Sequence, residues 1–254
     1  GVRLPIHTHG ATLSVMYHRL DASKIISTAQ SLSKRIAERF PDSGLGRVSR
    51  ELLAVATASE ADLERLQRPH WPIRIIAGAV FVVFLGVAVA AVLTIRVRGE
   101  VTGIAELLQG IEAGINDFVF LGIAVYFLLT LETRIKRGPA LRALHELLSI
   151  AHVIDMHQLT KDPEHLFSPQ MATESSPQRG MSRFELARYL DYCSELLSIV
   201  SKLAALRGQY LNDPVVLEVA SDVQNLSASL SGKIWQKIMI LDSVAARAAQ
   251  PASL

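Results

Sequence analysis

One cysteine, few aromatic residues and almost no net charge set the first limits on this chain. A single thiol, Cys193, excludes an internal disulfide framework and an all-cysteine metal site within one chain. It fits a reducing compartment. Aromatic residues make up 6% and the formal net charge is +2. No stretch interleaves aromatic rings with dense lysine and arginine, so nucleic acid is not expected as a partner. The opening residues, GVRLPIHTHGATLSVMY, carry no basic segment followed by a long apolar core, so no cleaved signal peptide is expected. Walker A, GxGxxG, HExxH and GxSxG patterns are all missing. No β-strand is needed anywhere.

What the chain has instead is apolar surface. Half of its 254 residues are hydrophobic, and the mean hydropathy of +0.28 is high for a soluble domain. Residues 75–95 hold no charged side chain and are bracketed by Arg74 and Arg96. A bilayer core needs roughly 20 apolar residues in helical form, and long arginine side chains at the ends can reach back to the interface. A second run, 118–131, is uncharged but short, and reaches spanning length only by including 114–117 or Glu132 and Thr133. The pair reads as a transmembrane hairpin with spans at about 74–96 and 115–135, and Asp117 and Glu132 near opposite interfaces.

Basic residues fix the expected orientation. Arg65, Arg68 and Arg74 precede the first span, and Arg134, Lys136, Arg137 and Arg142 follow the second. The connection, 97–114, is acidic by comparison and is placed outside. Both termini are therefore expected in the cytosol, with the chain integral to the plasma (inner) membrane. Val101, Ile104, Leu108 and Ile111 give the connection a helical spacing. In the first span Gly86 and Ala90 stand four apart with Gly78 two turns earlier, a spacing that lets helices approach closely but is also common in any membrane helix.

The flanking segments read as amphipathic helices. Residues 1–71 suggest a cytosolic helical hairpin: Asp21 or Ser23 caps a helix with Ile25, Ala29, Leu32 and Ile36 on one face. Pro41 and Gly44 break it, and Ser43 caps a second helix carrying Val48, Leu52, Val55, Leu63 and Leu66. Residues 72–137 form the membrane hairpin, and 138–254 the C-terminal cytosolic helices, with a loop near 166–181. Gly138 and Pro139 mark a joint before a helix that runs to Leu159. Ser182 and Glu185 form a capping-box pattern. The helix they open is apolar over a wide arc: Leu186, Leu190, Cys193, Leu197, Val200 and Ala204 share one stripe, with Leu196, Ile199, Leu203 and Leu206 beside it. Tyr189, Asp191 and Tyr192 are expected at the bundle's edge. Asp213 precedes Pro214 at the start of a last helix with Val219, Val223, Leu226 and Leu230. The fold class expected is all-α, a cytosolic helical bundle on a two-helix membrane hairpin.

Four segments occur in one order: AHVIDMHQLTKDPE at 151–164, TESSPQRGM at 173–181, RYLDYCSELLS at 188–198 and KIWQKI at 233–238. The series resembles a family of uncharacterised bacterial two-span membrane proteins. That resemblance implies the architecture and a bacterial inner membrane; it brings no activity, cofactor or site.

The densest polar cluster is His145, His152, Asp155 and His157, the candidate ligand-binding residues. At 100° per residue His145, His152 and Asp155 share a helix face, while His157 points away. One helix therefore cannot assemble three zinc ligands, and a metal site would need Glu185, Asp191 or Glu195 from elsewhere. A buried His–Asp hydrogen bond that fixes helix register accounts for the same pattern, and acid–base catalysis is a third reading. No metal or cofactor is specified. Cys193, on an apolar stripe, reads as a buried hydrophobe rather than a nucleophile. Tyr126, Thr130 and Glu132 give the second span a candidate pore-facing side, although Arg134 and Lys136 beside Glu132 equally suggest an interfacial ion pair. The basic tract 134–142, with Lys233 and Lys237, would favour anionic headgroups. The leading functional expectation is a non-enzymatic, self-associating scaffold or regulatory protein. Its expected partners are the lipid bilayer, further copies of itself and a cytosolic protein. An oligomeric ion channel or permeabilising effector, and a membrane-anchored enzyme using His152 and Asp155, are the alternatives.

Overall fold

A computed structural model describes residues 19–67, 71–98, 104–161, 163 and 180–249. Among them every regular element is an α-helix: α1 (Ala22–Arg39), α2 (Gly44–Gln67), α3 (Trp71–Arg98), α4 (Ile104–Leu159), α5 (Arg183–Tyr210) and α6 (Pro214–Ala249). The loop expected near 166–181 lies mostly outside the described residues, as do 99–103 of the connection. The chain divides into two compact units, one formed by Gly1–Leu63 together with Arg142–Leu254, the other by Glu64–Leu141. The segments on either side of the apolar region, read separately in the sequence, thus share one unit.

Local chemistry explains where the helices of the first unit begin. Asp21 accepts a hydrogen bond from the Ser23 backbone N–H at 3.0 Å and so caps α1. The turn before α2 places Asp42 at φ 58°, the left-handed region that Asp tolerates better than branched residues, and Ser43 Oγ accepts from Gly46 N–H. The Ser182–Glu185 capping box is complete in both directions. Asp213 Oδ1 accepts from Val215 and Val216 N–H at the start of α6.

The buried faces follow the helical period. Ile25, Ala29, Leu32 and Ile36 of α1 are buried, as are Leu45, Val48, Leu52 and Val55 of α2. A buried Ser33–Ser49 hydroxyl pair at 3.1 Å joins these two helices. Both expected stripes of α5 are buried in full, which makes α5 the central helix of the unit. Two expectations need correcting. Tyr189 and Tyr192 are buried rather than at the edge, because Phe40 meets both rings edge-on at 5.4 and 6.2 Å and closes over them. The buried stripe of α6 runs through Val216, Ala220, Val223, Ser227, Leu230 and Ile234, leaving Val219 and Leu226 only half-buried. Ala220 of that face packs on Gly208 of α5, where a Cβ would sit 3.8 Å from Ala220 Cβ and 3.1 Å from Cδ2 of the neighbouring Leu217.

The expected joint at Gly138–Pro139 is also corrected: Pro139 lies inside α4, whose 56 residues run unbroken. Interior proline costs a helix about 3 kcal/mol through its missing N–H and its clash one turn back. Gly138, lacking a Cβ, relieves part of the clash that proline imposes on the residue before it. Burial of Ala143, Leu144, Leu147, Ile150 and Ile154 beyond it offsets the rest.

In the second unit the apolar faces are turned outward. Ile75, Phe81, Val82 and Val83 of α3 and Phe118, Phe120 and Ile123 of α4 are all more than half exposed. By length and composition one helical stretch among the described residues, Leu108–Leu159, contains a window able to cross a membrane; the apolar stretch Arg74–Ala90 of α3 is shorter. The expected weighting was the reverse. The second run gains its length because 114–117, including Asp117, are helical and continue it without a break.

Candidate functional sites

The histidine cluster lies on the part of α4 that belongs to the first unit. His145 and His152 are exposed, and Asp155 and His157 are half-buried. No hydrogen bond joins His152 to Asp155 among the described residues. Asp155 Oδ1 instead accepts from Gln158 Nε2 at 2.6 Å, and the Gln158 carbonyl accepts from Lys237 Nζ at 2.9 Å. The expected buried His–Asp bond is thus replaced by an Asp155–Gln158–Lys237 chain, because Gln158 is the buried member of the set and needs the partners. Among the described residues no group of three His, Cys, Asp or Glu side chains is placed to hold a metal ion. Lys237, considered for headgroup binding, donates to the Gln158 carbonyl at the C-terminal end of α4, where a cation is favoured by the helix dipole.

His157 faces away from its neighbours, as the helix geometry requires, and packs on Gly44 at the start of α2. A Cβ at position 44 would overlap the His157 ring, so glycine is what permits this approach. Desolvation, then the charges of Arg47 and Lys161, hold the imidazole below its ordinary value. The unfolded chain therefore binds more protons than the native one just below about pH 6.5. Stability from this contact is complete above that value and is lost as pH falls toward the lower native one. Denaturant titrations between pH 7.5 and 5.5 are expected to show a falling midpoint in the wild type and a shallower fall in His157→Asn.

Cys193 is fully buried, and burial pushes its thiol up to about 12, with nearby Lys237 and Lys161 opposing the shift. A protonated, inaccessible thiol is neither nucleophile nor metal ligand. Maleimide at pH 8 is expected to leave the native protein unlabelled and to modify it stoichiometrically in denaturant; rapid native labelling would contradict this burial.

In the second unit Glu132 is bridged by Lys136 at 2.9 Å and Arg74 at 3.5 Å. Glu132 is thus paired with Arg74 in the first turn of α3 as well as with Lys136, one of the cations that follow it in sequence. The Thr130 hydroxyl donates back to the carbonyls of Tyr126 and Phe127 on its own helix. Of the three candidate pore-facing residues, Tyr126 is exposed, and its hydroxyl makes no hydrogen bond among the described residues.

Sequence reading missed two charged features. Arg207 of α5 is buried and donates to Ser59 Oγ of α2 at 2.9 Å. Arg35 and Arg39 of α1 come together with Arg188 of α5 around an open cleft. The i, i+4 spacing of the first pair was visible, but the approach of α1 to α5 across about 150 residues was not. Comparison with protein-family models, curated proteins and solved structures returns no match.

Proposed function

We propose that this chain is a membrane-anchored helical protein that self-associates and presents a cytosolic bundle as a scaffold or regulatory module. In this reading α3 and the first half of α4 form a two-span hairpin, with both flanking segments in the cytosol of a bacterial cell. The four ordered motifs, with their resemblance to a two-span family, support this reading.

The observation that carries the proposal is the outward apolar surface of the second unit, where Ile75 (63%), Val83 (66%), Phe118 (74%) and Phe120 (71%) are exposed. Soluble monomers rarely expose contiguous apolar patches above a few hundred Å², and lipid is the cover that needs no further protein. Open space beside Gly78, Gly86, Gly110, Gly114 and Gly122 supports close approach of another apolar helix. Crosslinking in native membranes and gentle detergent is the test. Discrete multimers are expected; monomers alone, with no crosslinked partner, would remove the scaffold reading.

The channel reading retains support from Tyr126 alone, since Thr130 and Glu132 are satisfied within the unit. Reconstituted protein is expected to give no ion flux across liposomes over a range of voltage and pH. Flux that changes on Tyr126→Phe would favour the channel instead.

A further inference from the structure

Three arginines line one open cleft where the C-terminal half of α1 meets the start of α5. The cleft has a volume of about 460 Å³ and is lined by Arg35, Glu38, Arg39, Arg188 and Tyr192. That lies within the range of roughly 300–1,000 Å³ typical of small-ligand sites. None of these residues takes part in the histidine cluster, and the cleft lies wholly within the first unit.

The arginines are held in place before any ligand arrives. Arg35 and Arg188 lie over the buried ring of Tyr192, with Cζ 5.8 and 5.2 Å from its centroid. Arg35 also pairs with Glu195 at 2.6 Å, and Arg188 with Asp191 at 3.1 Å. Arg39 lies over Phe184 at 5.5 Å and makes no ion pair among the described residues. Long side chains normally lose rotamer freedom on binding; here stacking and pairing have already removed much of it.

The counter-charges decide what kind of ligand fits. Asp191 and Glu195 each engage one arginine from outside the lining, but a guanidinium carries five N–H donors and one carboxylate occupies only part of that fork. Glu38, inside the cleft, has only a long 3.9 Å contact to Lys34 and is largely exposed. An anion entering here must therefore carry enough charge to outweigh Glu38, and must accept hydrogen bonds from several directions at once. A carboxylate offers two coplanar oxygens. A phosphate offers three on a tetrahedron, and arginine forks match it bidentately.

We propose that the Arg35–Arg39–Arg188 cleft binds a phosphate-bearing ligand of the phosphomonoester or pyrophosphate type. The same chemistry is available from a soluble phosphorylated metabolite and from a lipid headgroup, and the experiment separates them.

Calorimetric titration of the full chain in detergent would use inorganic pyrophosphate, inorganic phosphate and dihexanoyl phosphatidic acid below its micelle concentration. One saturable site is expected, tighter for pyrophosphate than for phosphate. Arg39→Gln and Arg188→Gln are each expected to weaken it about tenfold or more, the loss of charge-assisted hydrogen bonds. Glu38→Gln is expected to tighten it severalfold by removing the opposing charge, and Arg50→Gln on α2 to leave it unchanged. Arg39→Lys keeps the charge but not the fork and should fall between wild type and Arg39→Gln, which guards against a folding defect in any one variant. Binding of pyrophosphate but not of the lipid identifies a soluble ligand, and binding of the lipid alone a headgroup; either outcome supports the cleft. Absence of saturable binding for all three probes would overturn the proposal, as would equal affinity in wild type and Arg39→Gln.

Discussion

If α4 spans a bilayer as proposed, lysine in place of Ile123 is expected to eject it. Ile123 lies near the middle of the uncharged run 118–131 and is 60% exposed, so the new ammonium would face lipid. At the centre of a spanning helix lysine is unfavourable by about 2.5–3.5 kcal/mol and isoleucine favourable by about 0.3–0.6, a difference of roughly 3–4 kcal/mol. Insertion of α4 would then fall on the order of a hundredfold or more. On the proposed two-span topology, with α3 still inserted, everything after α4 would lie on the opposite side of the membrane from wild type. A reporter enzyme fused after Leu254 reads that side directly. Phe118→Lys is the control: beside Asp117, its lysine can reach the interface and should leave the topology unchanged. Wild-type topology in Ile123→Lys would show that α4 is not a span.

How legible such features were depended on the range of the physics behind them. Caps are local: Asp21, the Ser182–Glu185 box and Asp213 satisfy helix N–H groups within three residues, and each was visible as a short pattern. The wide apolar arc of α5 was equally plain, because a helix buried on several sides must be apolar on several sides. Pro139 misled for the same reason that it informed: its local penalty is real, and burial of the next turns overrides it. Long-range matches were invisible. Nothing in the sequence announces that Phe40 closes over Tyr189 and Tyr192, that Ser59 receives Arg207, or that Gln158 rather than His152 takes Asp155. The histidine cluster looked chemical because its residues are rare and close in sequence. The arginine cleft looked ordinary because its members are common and far apart.

Phe40→Ala is expected to be the most damaging substitution in the first unit. Phe40 is the C-cap of α1, its N–H donating to Ile36 O at 2.8 Å, and its ring is 8% exposed. Edge-on contacts with Tyr189 and Tyr192 make it the link between the end of α1 and the centre of α5. Truncation removes the buried ring and leaves a cavity beside two tyrosines, a loss of about 3–5 kcal/mol for Phe→Ala in a core. Against a total stability of about 5–15 kcal/mol, that is a large fraction. Phe40→Leu fills most of the space and should cost no more than about 1.5 kcal/mol. Denaturation followed by near-ultraviolet circular dichroism measures both, since Tyr189 and Tyr192 report their own packing. The same lesion should loosen the cover near Cys193, on the same helix, so maleimide labelling in the absence of denaturant should appear in Phe40→Ala and stay undetectable in Phe40→Leu. A Phe40→Ala protein with wild-type stability and a silent Cys193 would mean that α1 is held to α5 by its other buried residues, Ile25, Leu32 and Ile36, and that the aromatic cluster is incidental.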